Sequence, residues 1–161
     1  MARIDFPDRG LGEHMDWAML RPDMAAGMGA FSTAVYGNSK LPLREREAAR
    51  WVIALINHCA VCQDTRTKDG AEAGIDEGFY VEVTSWREST ALSDRERLAA
   101  EFGECYAIDH QAMDDAFWAR MRAAFTDDEL ADLTICCGLW LGLGRTMAVI
   151  GVRAPGERIL V

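Results

Sequence analysis

Residues 43–74 read LREREAARWVIALINHCAVCQDTRTKDGAEAG, and the character of the chain changes partway through. The first half crowds Arg and Glu into its opening turns, while Ala48, Trp51, Val52, Leu55 and Ile56 recur at helical spacing, the pattern of a helix with one buried face. After Cys59 the stretch turns polar with interspersed alanines and closes at Gly74-Ile75, a pair that suits a helix C-terminus. A second helix opening near Cys59 is expected. Cys59-Ala60-Val61-Cys62 puts two sulfurs three residues apart, neighbours on one helical face and near enough for a strained, easily reduced disulfide.

Upstream, Asp23–Tyr36, DMAAGMGAFSTAVY, lies between Pro22 and Gly37 and predicts a helix with an acidic opening. Downstream, Asp76 is placed to cap EGFYVEVTSW, although Tyr80, Val81, Val83 and Thr84 favour strands, so tertiary context must decide that segment. Ser93-Asp94-Arg95-Glu96 and Thr126-Asp127-Asp128-Glu129 are capping boxes, and Asp114 can cap DAFWARMRAAF between them. The last apolar segment runs to about Val152, and the tail RAPGERILV is expected to be irregular. No stretch sustains strand alternation, so the fold class is all-α: a bundle of about six to eight helices in one domain over 1–161, with a core at 23–152, an N-terminal extension at 1–22 and a tail at 153–161. Helix openings at Arg46-Glu47-Ala48-Ala49 and Arg95-Glu96-Arg97-Leu98-Ala99 hint at two related halves.

Composition narrows the function classes. With 17 basic and 26 acidic residues the formal charge is -9, which repels phosphate backbones and anionic lipid surfaces, so neither nucleic acid nor a membrane surface is an expected partner. The start, MARIDFPDRGLG, lacks the basic end and apolar run of a signal peptide, and Thr134–Gly144 is apolar for only 11 residues before Arg145, so a cytoplasmic protein is expected. Five cysteines in such a compartment read as thiols whose disulfides are transient.

The cysteine pair carries the chemistry. A sulfur at the N-terminal end of a helix has free amides and the helix dipole to stabilise its thiolate, which singles out Cys59 as a nucleophile with Cys62 resolving the adduct. The bland alternatives are buried thiols used as small apolar fillers, or half a zinc site. Zinc needs two more ligands, and Cys105 and the adjacent Cys136-Cys137 read as core, so neither metal nor cofactor is expected. Twelve residues before Cys59 stands Glu47, by itself a first-turn glutamate favoured by the dipole. The tryptophans Trp51, Trp86, Trp118 and Trp140 read as core or subunit-interface residues.

Glu47, eleven intervening residues and then Cys59-x-x-Cys62 resemble the core motif of the alkyl hydroperoxidase D / carboxymuconolactone decarboxylase superfamily. The closing segment, FTDDELADLTICCGLWLGLGRTMAVIGV, is similar to the superfamily's own, and the likeness covers about residues 23–152. It implies helical subunits assembled as dimers, trimers or hexamers, and a thiol-dependent peroxidase acting on a peroxide or small disulfide. A thiol or dihydrolipoyl-type protein would reduce it again. The resemblance implies that Cys62 meets the peroxide and Cys59 resolves it, the reverse of the dipole argument. The superfamily's relay pairs the glutamate with a histidine four residues after the second cysteine. Here that position is Arg66, which stays protonated and cannot accept a proton at neutral pH. Arg66 can still favour a thiolate lying within about 4 to 6 Å. His58 and His110 are the candidate substitutes for the missing base. A decarboxylase acting on a lactone without a cysteine pair, and a non-catalytic oligomeric scaffold with a degraded relay, are the alternatives.

Overall fold

In the computed structural model, which describes residues 2–156 and 158–161, eight α-helices appear among the described residues. They are α1 (Glu13–Asp16), α2 (Pro22–Asn38), α3 (Leu43–Ile56), α4 (Ala60–Asp64), α5 (Glu77–Thr84), α6 (Asp94–Ile108), α7 (Asp115–Ala124) and α8 (Asp127–Ile150). One short parallel pair joins them, β1 (Thr65–Arg66) with β2 (Ile159–Leu160). The architecture is all-α, and its caps are local. Asp76 and Asp114 accept from the amides of Phe79 and Phe117, and both capping boxes form, at Ser93 with Glu96 and at Thr126 with Glu129. Asp76 decides the ambiguous segment in favour of a helix. At the far end of α8, Gly151 takes the left-handed conformation (φ 76°) that a C-terminal cap requires.

α3 is the axis of the fold, and the expectation of a single buried face does not survive: Glu45 to Ala54 are all buried. One side meets α6, α7 and α8 in a core that includes Ile53, Phe102, Met121 and Leu133; the other meets α5 through Trp51, Phe79, Tyr80 and Val83. A charged helix tolerates this because most of its charges are paired, Glu45 with Arg95, Glu47 with Arg50, and Arg44 with Glu96, while the Arg46 guanidinium lies over the Tyr36 ring. Two of these pairs join the openings of α3 and α6, the segments whose sequences echo one another. The same two helices approach so closely that a Cβ on Gly103 would lie 2.8 Å from the Ala49 carbonyl oxygen.

Further expectations are refined or changed. α4 stops at Asp64 instead of running toward Gly74, because the Thr65 hydroxyl bonds back to the Val61 carbonyl (3.0 Å) and the next residues pair with the tail. The tail is therefore not irregular throughout, since Ile159–Leu160 forms that pair. α8 extends past Arg145 to 24 residues and is long and apolar enough to cross a membrane by length and composition, yet Leu133, Cys136, Cys137 and Trp140 pack into the core. α2 opens at Pro22, without a side-chain cap, and continues through Gly37. Although apolar, α2 buries only Val35 among its described residues and leaves Met24 and Phe31 58% and 41% exposed.

Candidate active site

The turn between α3 and α4 sets the cysteines. Asn57 ends α3, His58 takes the left-handed region (φ 50°), and the Cys59 amide donates back to the Ala54 carbonyl (3.2 Å). A non-glycine residue with positive φ is uncommon, and here it reverses the chain in one step, so that Cys59 itself becomes the N-cap of α4. The Cys59 sulfur accepts from the Cys62 amide at 3.2 Å, and the two cysteines are joined as a disulfide with Cα atoms 5.2 Å apart. Cys59 is fully buried against Val61, Met147 and Val152. Cys62 is only partly buried and faces a cavity of about 230 Å³.

α8 forms the floor. A Cβ on Gly144 would stand 3.1 Å from the Cys62 sulfur and 2.8 Å from Asn57 Nδ2, so glycine makes room for both. The Asn57 amide donates to the carbonyls of Trp140 (3.2 Å) and Leu141 (3.3 Å), and its oxygen accepts from Arg145 Nε (2.9 Å). Asn57 thus pins the end of α3 to α8 directly beside the cysteines.

Glu47 does not sit in solvent. It is fully buried, chelated by Arg50 Nε and Nη2 at 2.8–2.9 Å, and accepts from the Tyr80 hydroxyl at 3.0 Å. The remaining donors of Arg50 reach the carbonyls of Cys62 (2.8 Å) and Thr65 (3.2 Å). A single buried guanidinium therefore ties the glutamate of α3 to the backbone of α4. Burial opposes the Arg50 charge, but the adjacent Glu47 carboxylate outweighs it and the arginine is held more firmly protonated than usual. Burial, then the Glu47 charge, push the Tyr80 phenol up to about 12, so it remains a donor.

Arg66 faces elsewhere. Its Nε and Nη2 bond Glu77 at 2.8 and 2.9 Å, Nη1 bonds the Gln63 and Thr65 carbonyls, and the guanidinium lies over the Tyr80 ring, 4.2 Å from its centroid. Its charge is thus committed to Glu77 and the ring. His58 is exposed, and His110 is exposed in the short turn His110–Ala112; neither lines the cavity. The third histidine does: His14 comes from the N-terminal turn with Met15 and Trp17 and lines the cavity together with Cys62, Arg50 and Tyr36. The rest of the wall is mostly apolar, supplied by α2, α8 and the tail residues Ile159 and Val161. Among the described residues no cluster of three or more His, Cys, Asp or Glu is arranged to hold a metal ion.

Sequence reasoning missed Arg50, Asn57, Gly144 and His14. Arg50 carried a usable signal, standing three residues after Glu47 as the last charge before the apolar run of its helix. His14 carried none, for nothing local links residue 14 to residue 62.

The model of the carboxymuconolactone decarboxylase family matches residues 22–104. The uncharacterized protein YnjA of Escherichia coli (strain K12) is 32% identical over 104 residues, which are 65% of this chain and 57% of YnjA. The chain therefore spans somewhat more than half the length of that relative. The crystal structure of a protein of unknown function from Agrobacterium tumefaciens, proposed to be the antioxidant defence protein AhpD, superposes with a TM-score of 0.78 at 22% identity, covering 98% of this chain and 100% of that one. At that identity the likeness concerns the fold.

Proposed function

Since this chain belongs to the carboxymuconolactone decarboxylase family, we propose that within it the protein is a thiol-dependent peroxidase whose working residues are Cys62 and Cys59. The observation that carries this reading is the asymmetry of the disulfide: Cys62 opens onto the apolar cavity while Cys59 is fully buried at the N-cap of α4. A peroxide can reach only the former. Reactive cysteines need access as well as thiolate character, which supports Cys62 rather than Cys59 as the attacking sulfur.

The Cys62 thiolate attacks the terminal oxygen of a hydroperoxide; the S–O bond forms, the O–O bond breaks, and the alkoxide leaves with a proton as an alcohol. Cys62 is now a sulfenic acid. Cys59, whose sulfur stands at the free amides of α4, attacks it, water leaves, and the disulfide seen in the structure results. A dithiol protein restores both thiols by exchange through the accessible sulfur. Glu47 is a positioning residue in this scheme: the Glu47–Arg50 pair fixes the Cys62 carbonyl, and the carboxylate is already occupied by Arg50 and Tyr80. Such chemistry suits the reducing cytoplasm. The exposed apolar surface of α2 supports assembly with further copies of the chain.

The test is titration of the reduced protein with hydrogen peroxide and cumene hydroperoxide, counting thiols and mapping disulfides by peptide mass. Rapid loss of two thiols per chain with a Cys59–Cys62 link is expected. Slow, unpaired oxidation refutes the reading, and lactone turnover that survives thiol alkylation would place the protein with the decarboxylases instead.

A further inference from the structure

Resting on the peroxidase reading, we propose that His14 is the proton-transfer residue of Cys62. An imidazole from the N-terminal turn would do the work that position 66, an arginine, cannot. Three observations meet on it. His14 lines the same cavity as Cys62. Its Nδ1 is buried without a hydrogen-bond partner among the described residues, and so is Trp17 Nε1 of a neighbouring lining residue, so no described group holds the imidazole in one protonation state through that nitrogen. The turn that carries His14 is anchored: the Arg153 amide donates to Glu13 (2.9 Å) and the Arg3 amide to the Ile150 carbonyl (2.7 Å), fastening it to the end of the helix that floors the cysteine pair.

Among the described residues that line the cavity, no other group can take this part. Of the other titratable side chains that line it, Arg50 is permanently charged and committed to Glu47 and two carbonyls, and burial holds the Tyr36 phenol protonated. On its own turn, Glu13 is paired with Arg153 and Asp16 is buried and does not line the cavity. Imidazole is the side chain that ordinarily exchanges protons near neutral pH. In the reduced enzyme His14 takes the proton of the Cys62 thiol. The thiolate then forms the S–O bond to the hydroperoxide, and as the O–O bond breaks the imidazolium returns that proton to the departing alkoxide. Sulfur is oxidised by two electrons, the peroxide is reduced to an alcohol, and His14 ends neutral.

Two measurements on full-length protein test this. Iodoacetamide alkylation of Cys62 in the reduced chain, followed against pH, reports the proton partner without requiring peroxidase activity. In His14→Gln the midpoint should rise by about one pH unit as the thiolate loses its partner. The rate of thiol loss to hydrogen peroxide should fall on the order of 10²-fold, with added imidazole restoring part of it in His14→Ala. Identical alkylation profiles for wild type and His14→Gln overturn the proposal, and if wild type still forms the disulfide rapidly, the peroxidase reading stands without it. A His14-dependent alkylation profile in a wild-type protein that peroxide barely oxidises supports the proton partnership and refutes the peroxidase reading. A histidine that merely packed would give neither the pH shift nor the imidazole rescue.

Discussion

Replacing Arg50 with Met should be among the most damaging single changes in this protein. The side chain is 2% exposed and its partner Glu47 fully buried, so the variant leaves a carboxylate inside the protein with, among the described residues, only the Tyr80 hydroxyl to solvate it. Breaking a buried ion pair on one side typically costs about 3–5 kcal/mol. Two carbonyls, of Cys62 and Thr65, also lose their donors, at roughly 1 kcal/mol each where no water replaces them. Glu47→Gln strands the arginine's charge instead and should cost nearly as much. The double variant removes both charges, so its destabilisation should fall well short of the sum, with a coupling of about 2–3 kcal/mol. Urea unfolding of the reduced proteins at one fixed concentration measures all three differences. Single variants each costing under about 1 kcal/mol, or strictly additive losses, would falsify the claim that this pair holds α3 to the cysteine turn.

Gly144→Ala should push the Cys62 sulfur and the Asn57 amide from their places, destabilising by roughly 1–3 kcal/mol and slowing alkylation of Cys62, measured by urea unfolding and by mass spectrometry of labelled protein. Gly103→Ala should cost a similar roughly 1–3 kcal/mol with no change in cysteine reactivity, because it wedges α3 from α6 away from the site; equal effects on both readouts would contradict that separation. Phe31→Glu on the exposed face of α2 should shift the protein toward monomer in light scattering, and an unchanged mass distribution would discard α2 as the contact between copies. Burial raises the Glu96 carboxyl, but the hydrogen bond from Arg44 and the Ser93 amide outweigh it and hold it below the usual carboxylate range. Its folded value is depressed, so the stabilisation is present above the unfolded value of about 4.3 and lost as pH falls through the folded one. Acid unfolding should accordingly lose less stability across that window in Glu96→Gln than in wild type.

What the sequence determined by itself was whatever physics keeps within a few residues. Caps at Asp76, Ser93, Asp114 and Thr126 bond an amide three positions on, so their signals lie inside one turn and the all-α class could be read from them. The cysteine pair was legible for the same reason, since a three-residue spacing fixes which sulfurs can meet. Tertiary structure decided the surroundings. Tyr80 reaches Glu47 across 33 residues, Arg145 reaches Asn57 across 88, and Arg153 holds the turn of His14 by a contact spanning 140. It also decided that charged α3 is buried on every side and that the tail closes beside Cys62. Neither follows from periodicity, because burial of a charge depends on a partner that only the assembled chain can deliver.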